Sequence, residues 1–194
     1  MKKNIIIIGA PRSGKNTLAY KLNKRLNYNV ICGDQLMNTF KKTFPDMEDE
    51  SPSIPFTSFI INYLNELSNG ACCRNSVKFA AIITYVDLKR LMSELLNKDD
   101  YIFIGLTLND ISSEQMLANI RKYDEETDWT YKLTDERLMG CINSFIKDGN
   151  EYFYHKIFIP HNFCIYETSS DRERVLEQIV SDVENKHDTA VCCL

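Results

Sequence analysis

Asn4-Ile5-Ile6-Ile7-Ile8-Gly9-Ala10-Pro11-Arg12-Ser13-Gly14-Lys15-Asn16-Thr17 decides how this chain is read. Asn4 to Ile8 is a short, β-branched, apolar run, the pattern of a strand buried on both faces of a parallel sheet. Leu18, Leu22 and Leu26 then recur at helical spacing, on one face of a helix expected over 15–27. Between strand and helix lies a turn bearing Gly9 and Gly14, which permit backbone angles that other residues resist. Successive N–H groups in such a turn point inward as an anion nest. The helix start adds its positive dipole end, and the Lys15 ammonium reaches the outer phosphates. Gly9, Ala10, Pro11, Arg12, Ser13, Gly14, Lys15, Asn16 and Thr17 are therefore expected to grip the triphosphate of ATP or GTP. The usual motif closes Gly-Lys-Ser/Thr; here Asn16 takes the last place and Thr17 follows. The Asn16 amide oxygen and the Thr17 hydroxyl are candidate Mg2+ ligands.

Outward from this stretch, strands and helices alternate. Asn29 to Cys32 reads as a second strand, with Asp34 placed to cap the helix carrying Leu36, Met37 and Phe40. Residues 45–55 hold three prolines and several acids and read as an exposed loop. Phe56 to Leu67 reads as an amphipathic helix, Val77 to Ile83 as a third strand, and Asp87 to Leu96 as a helix. Tyr101 to Leu106 is a fourth strand and Phe163 to Tyr166 a fifth, followed by a final helix from Ser170 to Glu184. Two helices fall between the last two strands. One opens with a capping box of Ser112 and Gln115; the other runs from a cap at Thr134 to a stop near Gly149. Alternation of this kind means a parallel sheet with helices on both faces. The expectation is one domain, 1–194, with core segments 1–36, 76–106 and 150–186. Residues 37–75 connect the first two of these segments, and 107–149 form a helical insertion.

Composition narrows the function. The chain has 194 residues and a net charge of −4, a poor balance for a nucleic-acid binder. Seven cysteines include no C-x-x-C pair, which reads as reduced thiols in the cytoplasm rather than a zinc site or disulfide framework. No apolar run reaches the length of a membrane span. Val191-Cys192-Cys193-Leu194 lacks the cysteine four from the end that a prenylation signal needs. Asn97-Lys98-Asp99-Asp100 matches a guanine-reading motif in letters, but it precedes a strand where that motif should follow one. His155, His161 and His187 show no metal-ligand spacing.

Gly-Ala-Pro-Arg-Ser-Gly-Lys-Asn-Thr resembles the phosphate loop of adenylate kinases and other nucleoside monophosphate kinases, where lysine is followed by Gly-Thr. Gly33-Asp34-Gln35-Leu36 resembles that family's Gly-Asp-x-Leu-Arg segment, with Met37 in place of the arginine. Tyr166-Glu167-Thr168-Ser169-Ser170, followed by a helix with Val175, resembles its last strand and base-binding loop, which makes Ser169 a nucleotide contact. The resemblance covers the two ends of the chain. It implies a three-layer α/β P-loop fold with a five-stranded parallel sheet in the order 2-3-1-4-5. It also implies an acceptor-side segment, 37–75, that closes over the acceptor, and a lid over ATP near 107–149. The family's arginine-rich lid is represented only by Arg121, Lys122 and Arg137, and an acid at the end of the third strand only by Asp87.

Lys15, Arg12, Asp34 and Arg121 are the candidate catalytic residues. Phosphoryl transfer needs fixed cations around the moving group, which Lys15, Arg12 and Arg121 supply. Asp34 stands at the carboxyl end of a strand, where open sheets bind ligands; it can hold Mg2+ or take a proton from an acceptor hydroxyl. Asp124, Glu125, Glu126 and Asp128 would repel phosphate unless a cation intervenes, and Trp129 can anchor the insertion. The leading expectation is an ATP-dependent phosphotransferase acting on a nucleotide or similar small acceptor. Met37 in the arginine position favours a second: a kinase of a hydroxyl acceptor (sugar, antibiotic or polynucleotide end) with Asp34 as base. A third is a nucleotide-binding protein without turnover.

Overall fold

The computed structural model describes residues 2–47, 54–69, 78–84, 86–109, 111–124, 126, 130–144 and 150–188. Five strands make one parallel sheet in the order β2-β3-β1-β4-β5. They are β1 (Asn4–Gly9), β2 (Asn29–Cys32), β3 (Phe79–Ile82), β4 (Tyr101–Thr107) and β5 (Cys164–Glu167). The helices are α1 (Lys15–Leu26), α2 (Gly33–Thr43), α3 (Ile54–Asn69), α4 (Leu88–Glu94), α5 (Ser113–Tyr123), α6 (Asp135–Ser144), α7 (Asn150–Tyr152) and α8 (Arg172–Asp188). The expected fold class and strand order hold, and Ala80 and Ala81 are strand residues in register with Ile5 and Ile6.

The apolar run of β1 divides between two cores because successive strand side chains face opposite ways. Ile6 and Ile8 join Phe40, Phe56, Ile60 and Leu91 on one face. Ile5 and Ile7 join Leu18, Leu22, Leu176 and Ile179 from α1 and α8 on the other. All four isoleucines are 0–1% exposed. A third, smaller core joins Ala10 and Leu108 to Met116 and Ile120 of α5 and Leu138 and Ile142 of α6. The insertion thus packs directly on the first residues of the phosphate loop. Its capping box forms as the sequence indicates, with Ser112 and Gln115 bonded reciprocally.

One local expectation changes here. Asp34 is not the cap of α2: β2 runs straight into the helix, Cys32 takes the N-cap place without a side-chain bond, and Asp34 lies in the first turn. Between α6 and β5 an aromatic stretch forms a wide helical turn, Phe153–Phe158, after the short α7. Its backbone bonds span five residues, as in Ile159 N–H to Tyr154 O at 3.1 Å, a spacing that a search at helical period 3.6 does not detect. The Trp129 anchor, Glu125, Asp128, His187's side chain and the Cys192-Cys193 tail fall outside the described residues. Cys32, Cys141 and Cys164 are free thiols.

Candidate phosphate-binding and transfer site

Chain reversal in the sheet occurs at β1, whose neighbours are β3 and β4. The crevice at the carboxyl end of that switch is where doubly wound sheets take ligands, and the turn from Gly9 to Gly14 lies there. Gly9 pairs with Leu106 so closely that a Cβ would stand 2.5 Å from the Leu106 carbonyl oxygen. Gly14 occupies the N-cap of α1 with φ 98°, and Arg12 is left-handed at φ 63°. Thr168, 2% exposed, donates to the carbonyls of Ser13 at 3.0 Å and Thr107 at 3.1 Å, tying the turn to β4 and β5. Arg172, at the start of α8, donates to the Arg12 carbonyl at 3.2 Å.

The site fits an anion. No side chain caps α1, and its first turn contains no acid, so the helix's leading N–H groups are left to a ligand. Ser13 Oγ is buried with no hydrogen-bond partner among the described residues, a state that costs free energy until a ligand supplies one. Lys15 Nζ donates to Gly9 O at 2.9 Å and Ala10 O at 2.8 Å. Burial pushes its pKa down to about 8, against the opposing charge of Asp34. Asn16 and Thr17 are exposed on the first turn of α1. Among the described residues no cluster of three metal-ligating side chains exists. Thr17 carries a hydroxyl and Asp34 a carboxylate, oxygen ligand types that Mg2+ accepts alongside water and phosphate oxygens.

Asp34 is oriented from β3. Thr84 Oγ1 donates to Asp34 Oδ1 at 2.7 Å, and the approach depends on Gly33, where a Cβ would meet Ile82 O at 2.6 Å and Thr84 Oγ1 at 2.9 Å. Thr84 escaped the sequence reading; its one signal was a hydroxyl just past a strand end. Asp87, the expected acid, instead caps α4 by accepting from Arg90 N–H at 3.1 Å. Met37 is 6% exposed in the core, so the place of the family arginine is apolar.

Arg12 and Arg121 both meet Asp124, at 2.9 and 3.2 Å. Arg121 also bonds Asp135 and the carbonyls of Thr130 and Leu133. Ser169 is bound to Glu167, which accepts its backbone N–H at 2.9 Å and its hydroxyl. Glu167 further accepts from Thr107 Oγ1 at 2.9 Å and Asn109 N–H at 2.8 Å. Burial alone would raise the Glu167 pKa, but these donors outweigh it and hold the pKa below the ordinary carboxylate value.

No protein-family model matches the chain, and no curated protein matches it. Solved structures do share its fold. A shikimate kinase from Bacteroides thetaiotaomicron superposes with a TM-score of 0.63 at 14% identity, over 96% of this chain and 98% of that one. A gluconokinase from Sinorhizobium meliloti 1021 gives 0.56 at 12%, over 97% and 95%. A sugar kinase from Janibacter sp. HTCC2649 gives 0.58 at 10%, over 93% and 94%. The chain shares the fold of these solved kinases. No helix among the described residues is long and apolar enough to cross a membrane.

Proposed function

We propose that this protein is a P-loop phosphotransferase that moves the γ-phosphate of ATP or GTP, with Mg2+, to a small-molecule acceptor in the cytoplasm. The observation that carries this reading is the uncapped start of α1, with Lys15 folded back on the carbonyls of its own loop. Phosphates placed there receive the N–H groups and replace those carbonyls as partners of the Lys15 ammonium. Ser13, Gly14, Asn16 and Thr17 line the donor side. Mg2+ would neutralise charge on the transferred group, with Thr17 as its protein partner and Asn16 beside it. Arg12 supplies a further cation at the loop's edge. Ser169 lies at the strand end expected to border the base.

The acceptor side favours a hydroxyl compound over a nucleoside monophosphate. α2 and α3 carry only Lys41 and Lys42 as cations, both in the last turn of α2, and Met37 offers nothing to an acceptor phosphate. Asp34, with one oxygen bonded by Thr84, is suited to draw the proton from an attacking hydroxyl. Solved neighbours named as shikimate kinase and gluconokinase agree with that choice through fold alone. The test is ADP release from Mg·ATP across a panel of monophosphates, deoxynucleotides, sugars and other hydroxyl compounds. Stimulation by a hydroxyl compound supports this reading. Stimulation by one monophosphate replaces it with the nucleotide kinase, and ATP binding without stimulation leaves a nucleotide-binding protein.

A further inference from the structure

The carboxylate of Asp124, just past the end of α5, is only 2% exposed and has a guanidinium on each oxygen. Arg12 Nη2 lies 2.9 Å from Oδ1 and Arg121 Nη1 3.2 Å from Oδ2. Thr130 donates its hydroxyl to Oδ1 and stands 3.4 Å from Arg12 Nη2. A buried carboxylate is tolerated where charge and hydrogen bonds answer it. Here two cations answer the buried acid, and Arg121 is shared with the more exposed Asp135.

Arg121 has further partners in the turn that follows α5. Arg121 places Nε on Asp135 at 2.9 Å, Nη1 on the Thr130 carbonyl at 3.0 Å and Nη2 on the Leu133 carbonyl at 2.6 Å. Its guanidinium closes the turn between α5 and α6 and is committed to that turn. Arg12 comes from the phosphate loop, 112 residues away in the chain, with a third of its side chain exposed. Below this group, Ala10 shares a core with Met116, Ile120, Leu138 and Ile142. Loop and insertion are therefore docked at two levels, apolar beneath and ionic above.

We propose that Asp124 is a positioning residue for phosphoryl transfer. It holds the Arg12 guanidinium at the edge of the phosphate loop, where it meets charge developing on the transferring group, and Arg121 serves to hold Asp124. The acids of the insertion then aid the reaction through an arginine rather than repel the donor. This deepens the phosphotransfer reading and rests on it.

The test needs no acceptor. The full chain is titrated with Mg·ADP alone and with Mg·ADP plus aluminium fluoride, which mimics the transferring phosphoryl group. Arg12→Gln and Asp124→Asn are each expected to lose roughly 10- to 100-fold more affinity in the fluoride complex than for Mg·ADP alone. The double variant is expected to lose no more than Arg12→Gln, because Asp124 acts through Arg12. Should Asp124→Asn not fold, Thr130→Val removes the hydroxyl joining the pair and is expected to lose about threefold in the fluoride complex alone. The proposal is overturned if either Asp124→Asn or its Thr130→Val substitute holds the fluoride complex as tightly as the unmodified chain, or if the losses of Arg12→Gln and Asp124→Asn add. An unmodified chain that binds Mg·ADP but gains nothing from aluminium fluoride overturns the phosphotransfer reading itself.

Discussion

Thr84 donates its hydroxyl to Asp34 Oδ1 across 2.7 Å, joining the ends of β3 and β2 at the mouth of the crevice. Asp34 is thereby held in one orientation beside the phosphate loop, near enough for its charge to oppose the desolvation of Lys15.

Asp34→Asn is expected to cut turnover by roughly 10²- to 10⁴-fold, the range of a positioned general base, with Mg·ATP affinity within about threefold. Thr84→Val should produce a smaller loss of the same kind, about tenfold, and Thr84→Ser should restore it. Steady-state rates and calorimetric ATP titrations separate the two effects. If Asp34→Asn weakens ATP binding as much as it slows turnover, Asp34 belongs to the donor side.

Lys15→Ala is expected to remove about 2–3 kcal/mol of triphosphate binding, roughly 30- to 150-fold. Unchanged affinity would remove the phosphate-loop assignment.

Protonation of Lys15 should follow the ligand. Its pKa is lowered to about 8 from an ordinary 10.5, chiefly by burial. Between those values the unfolded chain binds the proton and the folded chain does not, so ligand-free stability gains from this group as pH rises through the window. A bound phosphate restores the charge, and triphosphate binding near pH 9 is expected to take up protons. Titrations in two buffers of different ionisation enthalpy read the uptake directly. It should vanish in Lys15→Arg, whose guanidinium does not titrate there.

Gly105→Ala should destabilise the sheet by about 1–3 kcal/mol, an overpacking cost. The new Cβ would lie 2.8 Å from Cδ2 and Cε2 of Phe158, a 0% exposed ring. A fall in Tm that Phe158→Leu partly reverses would verify the contact; an unchanged Tm would refute it.

Glu167→Gln should lower stability at neutral pH by loosening Thr107, Asn109 and Ser169. The folded pKa of Glu167 is depressed, so its stabilisation is present above the ordinary carboxylate value and is lost as pH falls through the folded one. Denaturation curves of the two proteins should therefore converge in acid. A gap that stays constant throughout the acid range would contradict this account.

Local pattern carried much of the architecture. The isoleucine run of β1, the leucine spacing of α1 and the Ser112–Gln115 box each concern residues within a turn or two of one another, and each sits where its pattern indicates. The wide turn at Phe153–Phe158 escaped because its five-residue spacing is not the helical period. Asp34 was legible as a residue at a strand end, yet its reading as a cap failed, because capping depends on how β2 enters α2 rather than on residue type.

By itself, the sequence determined a parallel α/β sheet with a glycine-bearing turn between its first strand and first helix, because strand burial, helix period and glycine turns are properties of neighbouring residues. Only the tertiary structure decided which charges meet. Arg12 reaches Asp124 across 112 residues, Asp34 meets Thr84 across 50, and Thr107 meets Glu167 across 60. Those pairings follow from the strand order and from the packing of the insertion on Ala10. A side chain's partner is set by where folded elements converge in space, and spacing along the chain holds no record of that convergence.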